Sequence, residues 1–369
     1  MKRKTFLNTL AAGAGALGLC DSLRAEVQRT ATPKHFLIMG GTGFLGPHIV
    51  EFAQQRGHRL TLFNRGKTNP HLFPDLEKIK GDRNVDLSAL QHRTFDGVID
   101  TSGYFPRQIH MLHEVLKDRT GHFLFVSSIS VYKDFKEVGI DETYGVGMLV
   151  DETTEQITGE TYGPLKALCE KAAQGSFGSE TTIIRPGLII GPMDRSDRFT
   201  YWPVRVRKGG DIVAPVSGKE KTQMIDVRDL AAFIVSCMER SSSGVFNATS
   251  PPGHWTMGSI LTESGTFCPV DHRVHWLPWE HLQKMEVQPW MEMTAWTPME
   301  GDYLGFADVK CDRALAAGLT FRSLHDTIEA TLAWWDSLPA SRKEKMRAGL
   351  SAEKESRVLA AYLEQKQQP

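Results

Sequence analysis

The stretch His35-Phe36-Leu37-Ile38-Met39-Gly40-Gly41-Thr42-Gly43-Phe44-Leu45-Gly46 decides the fold. Phe36 to Met39 is a short apolar run of buried-strand character. It runs into Gly40-x-x-Gly43-x-x-Gly46, and a helical pattern follows from Pro47 to Ala53. A strand that turns sharply through glycines into a helix makes a cradle for a pyrophosphate. Gly40 permits the tight turn, Gly43 lets the ligand approach the backbone, and Gly46 lets the helix sit close to the strand. The anion would rest on the free N–H groups at the helix N-terminus, where the helix dipole also favours it. Gly40, Thr42, Gly43, Phe44, Leu45 and Gly46 are therefore the first candidate cofactor contacts.

Further strands follow within Gly57 to Phe63 (a turn plus strand), Lys78 to Arg83 (a strand running into a loop), Gly97 to Gly103, His122 to Ser128 and Thr181 to Gly187, with helical patterns between several of them. Alternating strands and helices imply an α/β domain, a Rossmann-type doubly wound parallel sheet covered on both faces. Ligands in such sheets bind beyond the carboxyl ends of the strands, where Thr101 and Ser128 also fall. About twenty residues past Gly43 comes the position that reads the adenosine ribose. An acidic side chain there would bond the 2′-OH; Asn64 and Arg65 stand there instead, which favours a 2′-phosphate and so NADP over NAD. Asp82, after the third strand, is placed to meet the adenine edge.

Past Gly187 the alternation dissolves. Residues 190–220 read as mixed and loop-rich, Asp226 to Glu239 as a helix and Gly244 to Ala248 as a strand. The expected division is a signal-like segment at 1–25, a linker at 26–33 and the dinucleotide domain at 34–249, with 190–220 lent to the substrate side. A smaller substrate-binding lobe at 250–322 and C-terminal helices at 323–369 complete it. The lobe is dense in tryptophan (Trp255, Trp276, Trp279, Trp290, Trp296), read chiefly as its own core. Ser323 with Asp326 marks the start of a helix from Leu324 to Trp335.

Chemistry enters at Tyr162-Gly163-Pro164-Leu165-Lys166. Residues four apart on a helix share a face, so phenol and ammonium can point into one pocket. A lysine cation beside the phenol would lower its pKa from about 10, readying it to exchange a proton with an alcohol or ketone as hydride moves. Ser128, at the end of the fifth strand, is placed to hold the substrate oxygen. The loop Asp194-Arg195-Ser196-Asp197-Arg198-Phe199-Thr200-Tyr201-Trp202 mixes guanidinium, carboxylate and aromatic groups, a set suited to a sugar or phosphate; Arg198 and Tyr201 are its candidate substrate contacts.

These residues together resemble the extended short-chain dehydrogenase/reductase family of NAD-dependent epimerases and dehydratases. The matching motifs are Gly40-x-x-Gly43-x-x-Gly46, Ser127-Ser128-Ile129-Ser130-Val131-Tyr132, Tyr162-x-x-x-Lys166, Arg185-Pro186-Gly187-x-x-x-Gly191-Pro192 and Asp226-Val227-Arg228-Asp229-Leu230-Ala231. The resemblance implies that Ser128 orients substrate and that Lys166 also bonds the nicotinamide ribose. It further implies that the Pro186-Gly187 turn covers the nicotinamide. The chain departs from the pattern as well. Sugar-nucleotide 4,6-dehydratases carry Thr-Asp-Glu where Ser128-Ile129-Ser130 stands, so the acid and base needed to eliminate water are missing. Lys133 follows Tyr132 in place of the usual glycine, and Thr101-Ser102-Gly103 replaces a common His-Leu-Ala-Ala. The chain is thus expected in an outlying branch, as an NAD(P)-dependent oxidoreductase or epimerase acting on a secondary alcohol or ketone of a sugar-like substrate. The alternative is a non-catalytic dinucleotide-sensing or RNA-binding protein of the same fold.

Composition narrows the partners. The 369 residues carry a net charge of −1, 41% hydrophobic and 24% charged side chains, which advertises no polyanion-binding stripe. The expected partner is a small molecule, with a homodimer possible and no stable membrane span. Five cysteines and 13 histidines show no metal-ligand spacing, so no metal site is expected and the thiols read as free. The N-terminus has a basic region, Met1 to Lys4, an apolar run from Leu10 to Leu19 and a small residue, Ala25. Lys2-Arg3-Lys4-Thr5-Phe6-Leu7 resembles the twin-arginine export signal, with Lys4 where the second arginine belongs. Export to the periplasm is expected from this pattern, with a cytoplasmic location as the alternative.

Overall fold

The computed structural model describes residues 28–367. The signal-like segment at 1–25 lies outside the described residues. The first half builds β1 (His35–Met39), α1 (Leu45–Gln55), β2 (Arg59–Asn64), β3 (Glu77–Lys80), β4 (Phe95–Asp100), α2 (Pro106–Leu116), β5 (Thr120–Val126), α3 (Tyr162–Phe177) and β6 (Thr182–Pro186). After β6 come β7 (Leu188–Ile190), α4 (Tyr201–Arg207), β8 (Gly210–Pro215), β9 (Lys221–Thr222), β10 (Met224–Asp226), α5 (Val227–Arg240) and β11 (Gly244–Ala248).

Seven of these strands form one parallel sheet in the order β11-β6-β5-β4-β1-β2-β3. The order in which the chain adds strands to the sheet reverses between β1 and β4, so their carboxyl ends open the crevice where such folds bind ligands. The apolar run of β1 serves both faces. Phe36 and Ile38 join the core under α1 and α5, while Leu37 and Met39 join the core under α2 and α3. All four are at most 1% exposed, and each such burial contributes roughly 1.5–3 kcal/mol before entropy is charged against it.

The start of α5 follows from its sequence. The Asp226 carboxylate caps the helix by accepting from the Arg228 N–H at 2.8 Å, and Asp229 adds negative charge to the first turn. Ser323 does the same for the helix Leu324–Ser337, accepting from the Asp326 N–H.

The second core is where the structure departs most from the expectation of a loop-rich stretch. Residues 190–220 contain α4 and β8, and β8 pairs in parallel with a strand at His272–Leu277. A helix at Met257–Gly265 packs on α4. Leu188, Trp202, Val213, Met257, Trp296, Ile328, Trp335 and Val358 all belong to one apolar cluster. The C-terminal helices therefore share the lobe's core. Trp255 and Trp296 are buried in it, as their density suggested, but Trp290 faces the cleft. Among the described residues no helix is long and apolar enough to cross a membrane, and Cys169, Cys237, Cys268 and Cys311 are free thiols.

Candidate active site

A cavity of about 820 Å³ runs along the carboxyl ends of the strands from the glycine turn to the second lobe. Its floor is set by the turn. Gly40 has φ +94°, in the left-handed region, and a Cβ there would stand 2.6 Å from the Thr101 hydroxyl. A Cβ on Gly46 would stand 2.3 Å from the Gly40 carbonyl oxygen and 2.7 Å from the Gly41 Cα, so only glycine lets α1 start this close to β1. Gly43, by contrast, has open space in front of it, with nothing nearer than 3.8 Å. The first turn of α1 has no side-chain cap and no acidic residue. Its N–H groups are thus left for an incoming anion, which is the fit a pyrophosphate requires.

Thr42, Phe44 and Leu45 line the same end, joined by Asn64, Arg65 and Asp82. The Asn64 side-chain oxygen Oδ1 accepts from the Gly66 N–H at 2.9 Å, and its buried Nδ2 has no partner among the described residues. Arg65 is exposed and has Lys67 beside it on the wall, a second cation that the reading of the ribose position overlooked. The Asp82 carboxylate is held below the usual range by hydrogen bonds from Asn84. Thr101 spends its hydroxyl on the Met39 carbonyl at 2.8 Å and so latches β4 to β1.

The reactive end is built by α3. A Cβ on Gly163 would stand 1.9 Å from the Ser130 carbonyl oxygen, so this glycine lets the helix pack directly on the segment after β5. That close approach turns Tyr162 and Lys166 inward, where both line the cavity with Ser128 and Pro186. Ser128 accepts from the Ser130 N–H at 3.1 Å and donates to the Ser130 hydroxyl at 3.0 Å, which fixes its oxygen at the end of β5.

Lys166 differs from the expected picture. Its ammonium donates to the Gly103 carbonyl at 2.9 Å and the Val126 carbonyl at 2.7 Å, and it lies 4.1 Å from the Phe125 ring centre. Burial pulls its pKa down to about 8, against the pull of nearby acids including Asp100. The Tyr162 phenol is not lowered, as the helix spacing suggested, but raised. Burial is the main cause, and the Tyr104 ring beside it adds to this; Ser128 and the Arg198 charge pull the other way. The cation that favours the phenolate is thus Arg198.

Three residues at this end, Asp100, Arg83 and Tyr104, gave no clear signal in sequence. Asp100 is fully buried and held in a two-pronged pair with Arg83, at 2.6 and 2.7 Å; Arg83 also donates to the Ser102 hydroxyl at 2.9 Å. Burial works to raise the Asp100 carboxyl, but the Arg83 charge and hydrogen bonds outweigh it and hold the group below the usual range. Nothing local in Gly81-Asp82-Arg83 announces a partner seventeen residues on. Tyr104, exposed at the rim, sits with its ring centre 6.5 Å from that of Tyr162.

On the far wall Arg198 lines the cavity as expected, with Asp194, Trp290 and Phe306. Tyr201 does not. It is 3% exposed in the lobe's core, packed on Trp202 and against Gly349, because it begins α4 on that helix's inner side. The polar loop borders the cavity through Asp194 and Arg198, and the helix that starts at Tyr201 carries that residue away from it.

Residues 36–103 and 107–249 match the NAD dependent epimerase/dehydratase family. The chain belongs to that family. It is similar to the chloroplast stem-loop binding protein of 41 kDa b from Arabidopsis thaliana, 28% identical over 242 residues that cover 59% of each chain. It thus spans under two thirds of that relative's length. It is 22% identical over 249 residues to epimerase family protein SDR39U1 of Bos taurus, covering 62% of this chain and 79% of the relative. Among solved structures, Bordetella bronchiseptica WbmH with NAD+ aligns with a TM-score of 0.60 at 16% identity, covering 82% of this chain and 99% of that one. Human SDR39U1 with NADPH aligns at 0.55 and 18% identity, covering 82% and 100%. At these identities the structural likeness speaks for the fold, and it agrees with the seven-stranded parallel sheet.

Proposed function

We propose that the protein is an NAD(P)-dependent oxidoreductase or epimerase acting on a secondary alcohol or ketone of a sugar-like substrate through Ser128, Tyr162 and Lys166. One observation carries this reading. A glycine turn shaped for a pyrophosphate and a Ser/Tyr/Lys set line one cavity of about 820 Å³. The bound nicotinamide would supply the hydride acceptor or donor.

Each residue then has a defined task. The Gly40–Gly46 turn and the α1 N-terminus hold the phosphates, and Arg65 with Lys67 favours a 2′-phosphate, hence NADP over NAD. Ser128 orients the substrate oxygen. Tyr162 carries the proton: its raised pKa keeps it a neutral phenol near pH 7, the form that protonates a ketone. Lys166, anchored on Gly103 and Val126, is placed to reach a ribose hydroxyl with its remaining N–H. An epimerase would use these same groups twice, and a dehydrogenase once.

The second reading, a non-catalytic RNA-binding or dinucleotide-sensing protein, draws support from similarity to the stem-loop binding protein. The intact Tyr162/Lys166 pair in the cavity favours the enzyme, since a purely binding role needs neither. Export through the twin-arginine-like N-terminus is part of the proposal. It would have the protein cross folded with its cofactor, and mass spectrometry of the mature N-terminus from fractionated cells tests it.

The deciding experiment identifies the dinucleotide released from protein purified without added ligand, alongside turnover on a panel of sugars and sugar acids. Retained NAD(H) with turnover that needs none added indicates an epimerase, and strict dependence on added NADPH a reductase. A protein that binds neither dinucleotide would contradict the proposal.

A further inference from the structure

The far wall holds a guanidinium that the proposed chemistry leaves unused. Arg198 is largely buried, yet among the described residues only its Nε–H is engaged, on the Ser196 hydroxyl at 3.2 Å, and it makes no ion pair. Its remaining four N–H donors have no partner among the described residues. Partial burial disfavours its charge and lowers its pKa, and the Asp194 charge offsets only part of that. Such a group persists where something else holds it, and here the hold is elaborate.

The loop is clamped from behind. Asp197 is fully buried; it accepts from the Arg342 guanidinium at 2.6 Å and from the Arg347 N–H at 2.9 Å. The Asp194 carboxylate takes the Ser196 N–H at 2.8 Å and the Ser196 hydroxyl at 2.9 Å, so Ser196 is oriented to receive Arg198. In front, the guanidinium lies over the Trp290 ring at 5.1 Å. Backbone strain gathers here too. Met193, Asp197 and Trp290 have φ of 72°, 61° and 66°, a conformation that non-glycine residues adopt only when their surroundings impose it. A cation fixed on three sides, with its fork free toward a cavity shared with Tyr162, is a preorganised anion receptor.

We propose that Arg198, backed by Trp290, binds an oxyanion of the substrate, a carboxylate or a phosphate, so that the substrate is an acidic sugar-like alcohol. This rests on the reading of Tyr162 as the proton carrier only for placing that anion near the reacting carbon. The anion-binding claim itself does not depend on turnover. Asp194 attracts the Arg198 charge but makes no direct hydrogen bond or ion pair with its fork; both its oxygens are bonded to Ser196.

Binding measured by calorimetry on the full chain, with NAD and NADP each added, tests the proposal. The probes are glucuronate and glucose 6-phosphate, each against glucose as the neutral parent. At least one acidic probe should bind about tenfold or more tighter than glucose, as a charge-assisted pair requires. The winning probe tells carboxylate from phosphate. Arg198→Gln should abolish the preference while leaving the weak binding of glucose in place, and Arg198→Lys should keep part of it. Equal binding of acidic and neutral probes by the wild type, or a preference that survives in Arg198→Gln, overturns the proposal. Tyr162→Phe separates the two readings: it should lose turnover and keep the binding preference.

Discussion

The cofactor end and the far wall of the cavity do the same physical job by opposite means. The glycine turn binds anions with backbone N–H groups, and everything it needs lies within His35–Gly46. The wall around Arg198 brings together residues near 194–198, 290 and 342–347, and holds a cation in place with a buried carboxylate and strained backbone. The first depends on the absence of side chains, since one methyl at Gly46 would meet backbone atoms. The second depends on their presence. A local device fails at a single position, while an assembled one fails wherever its clamp is loosened.

The largest effect should come from the local device. Gly46→Ala places a Cβ 2.3 Å from the Gly40 carbonyl, where neither partner can move freely. We expect a loss of roughly 3 kcal/mol in stability, at the upper end for overpacking, together with loss of dinucleotide affinity by fluorescence titration. Normal affinity in Gly46→Ala would break the comparison. Next comes the clamp. Asp197→Ala leaves Arg342 unpaired and should cost about 2–3 kcal/mol, somewhat less than a fully buried pair because Arg342 is partly exposed. Dinucleotide affinity should stay within about twofold, since the far wall touches substrate only, and one titration of each variant reads both quantities.

A smaller effect is expected from pH. The folded pKa of Lys166 lies near 8, below its ordinary value of 10.5, because burial disfavours the ammonium. The unfolded chain therefore binds this proton more tightly, and the Lys166 contribution to stability rises as pH climbs from about 8 toward 10.5. Comparing denaturant midpoints of the wild type and Lys166→Met over that window should show the rise flattened in the variant. The smallest effect should come from Tyr201→Phe. Tyr201 lies outside the cavity, so substrate affinity should be unchanged. A clear change in affinity would return Tyr201 to the site and remove the distinction between its helix and the cleft.

The same contrast governs what could be read from sequence. The glycine turn, each strand of the first half and the helix beginning at Asp226 are local patterns whose physics is complete within short stretches of chain. Tyr162 and Lys166 were legible because helix spacing alone puts them on one face, and Ser128 because it ends an apolar strand. The electrostatics were not legible. Whether the phenol feels Lys166 or Arg198 depends on Gly103 and Val126 carbonyls capturing the ammonium, a contact across α3, β4 and β5. Arg83 finds Asp100, and Arg185 finds Glu170 at 2.7 and 2.9 Å, through sheet and helix packing that no short motif encodes. The lobe was hardest, because its parallel pair joins Gly210–Pro215 to His272–Leu277, strands far apart in sequence, and Trp290 packs on the edge of the core while lining the cleft.

The central claim is that one cavity brings a dinucleotide held by the glycine turn to a proton carrier at Tyr162. The most direct test is turnover by the wild type and Tyr162→Phe, followed through the absorbance of the reduced nicotinamide on a panel of sugars and sugar acids. Both proteins should bind the dinucleotide equally, and the variant should be slower by about 100-fold or more, the usual worth of a positioned acid–base group. A variant that binds and turns over like the wild type would contradict the account.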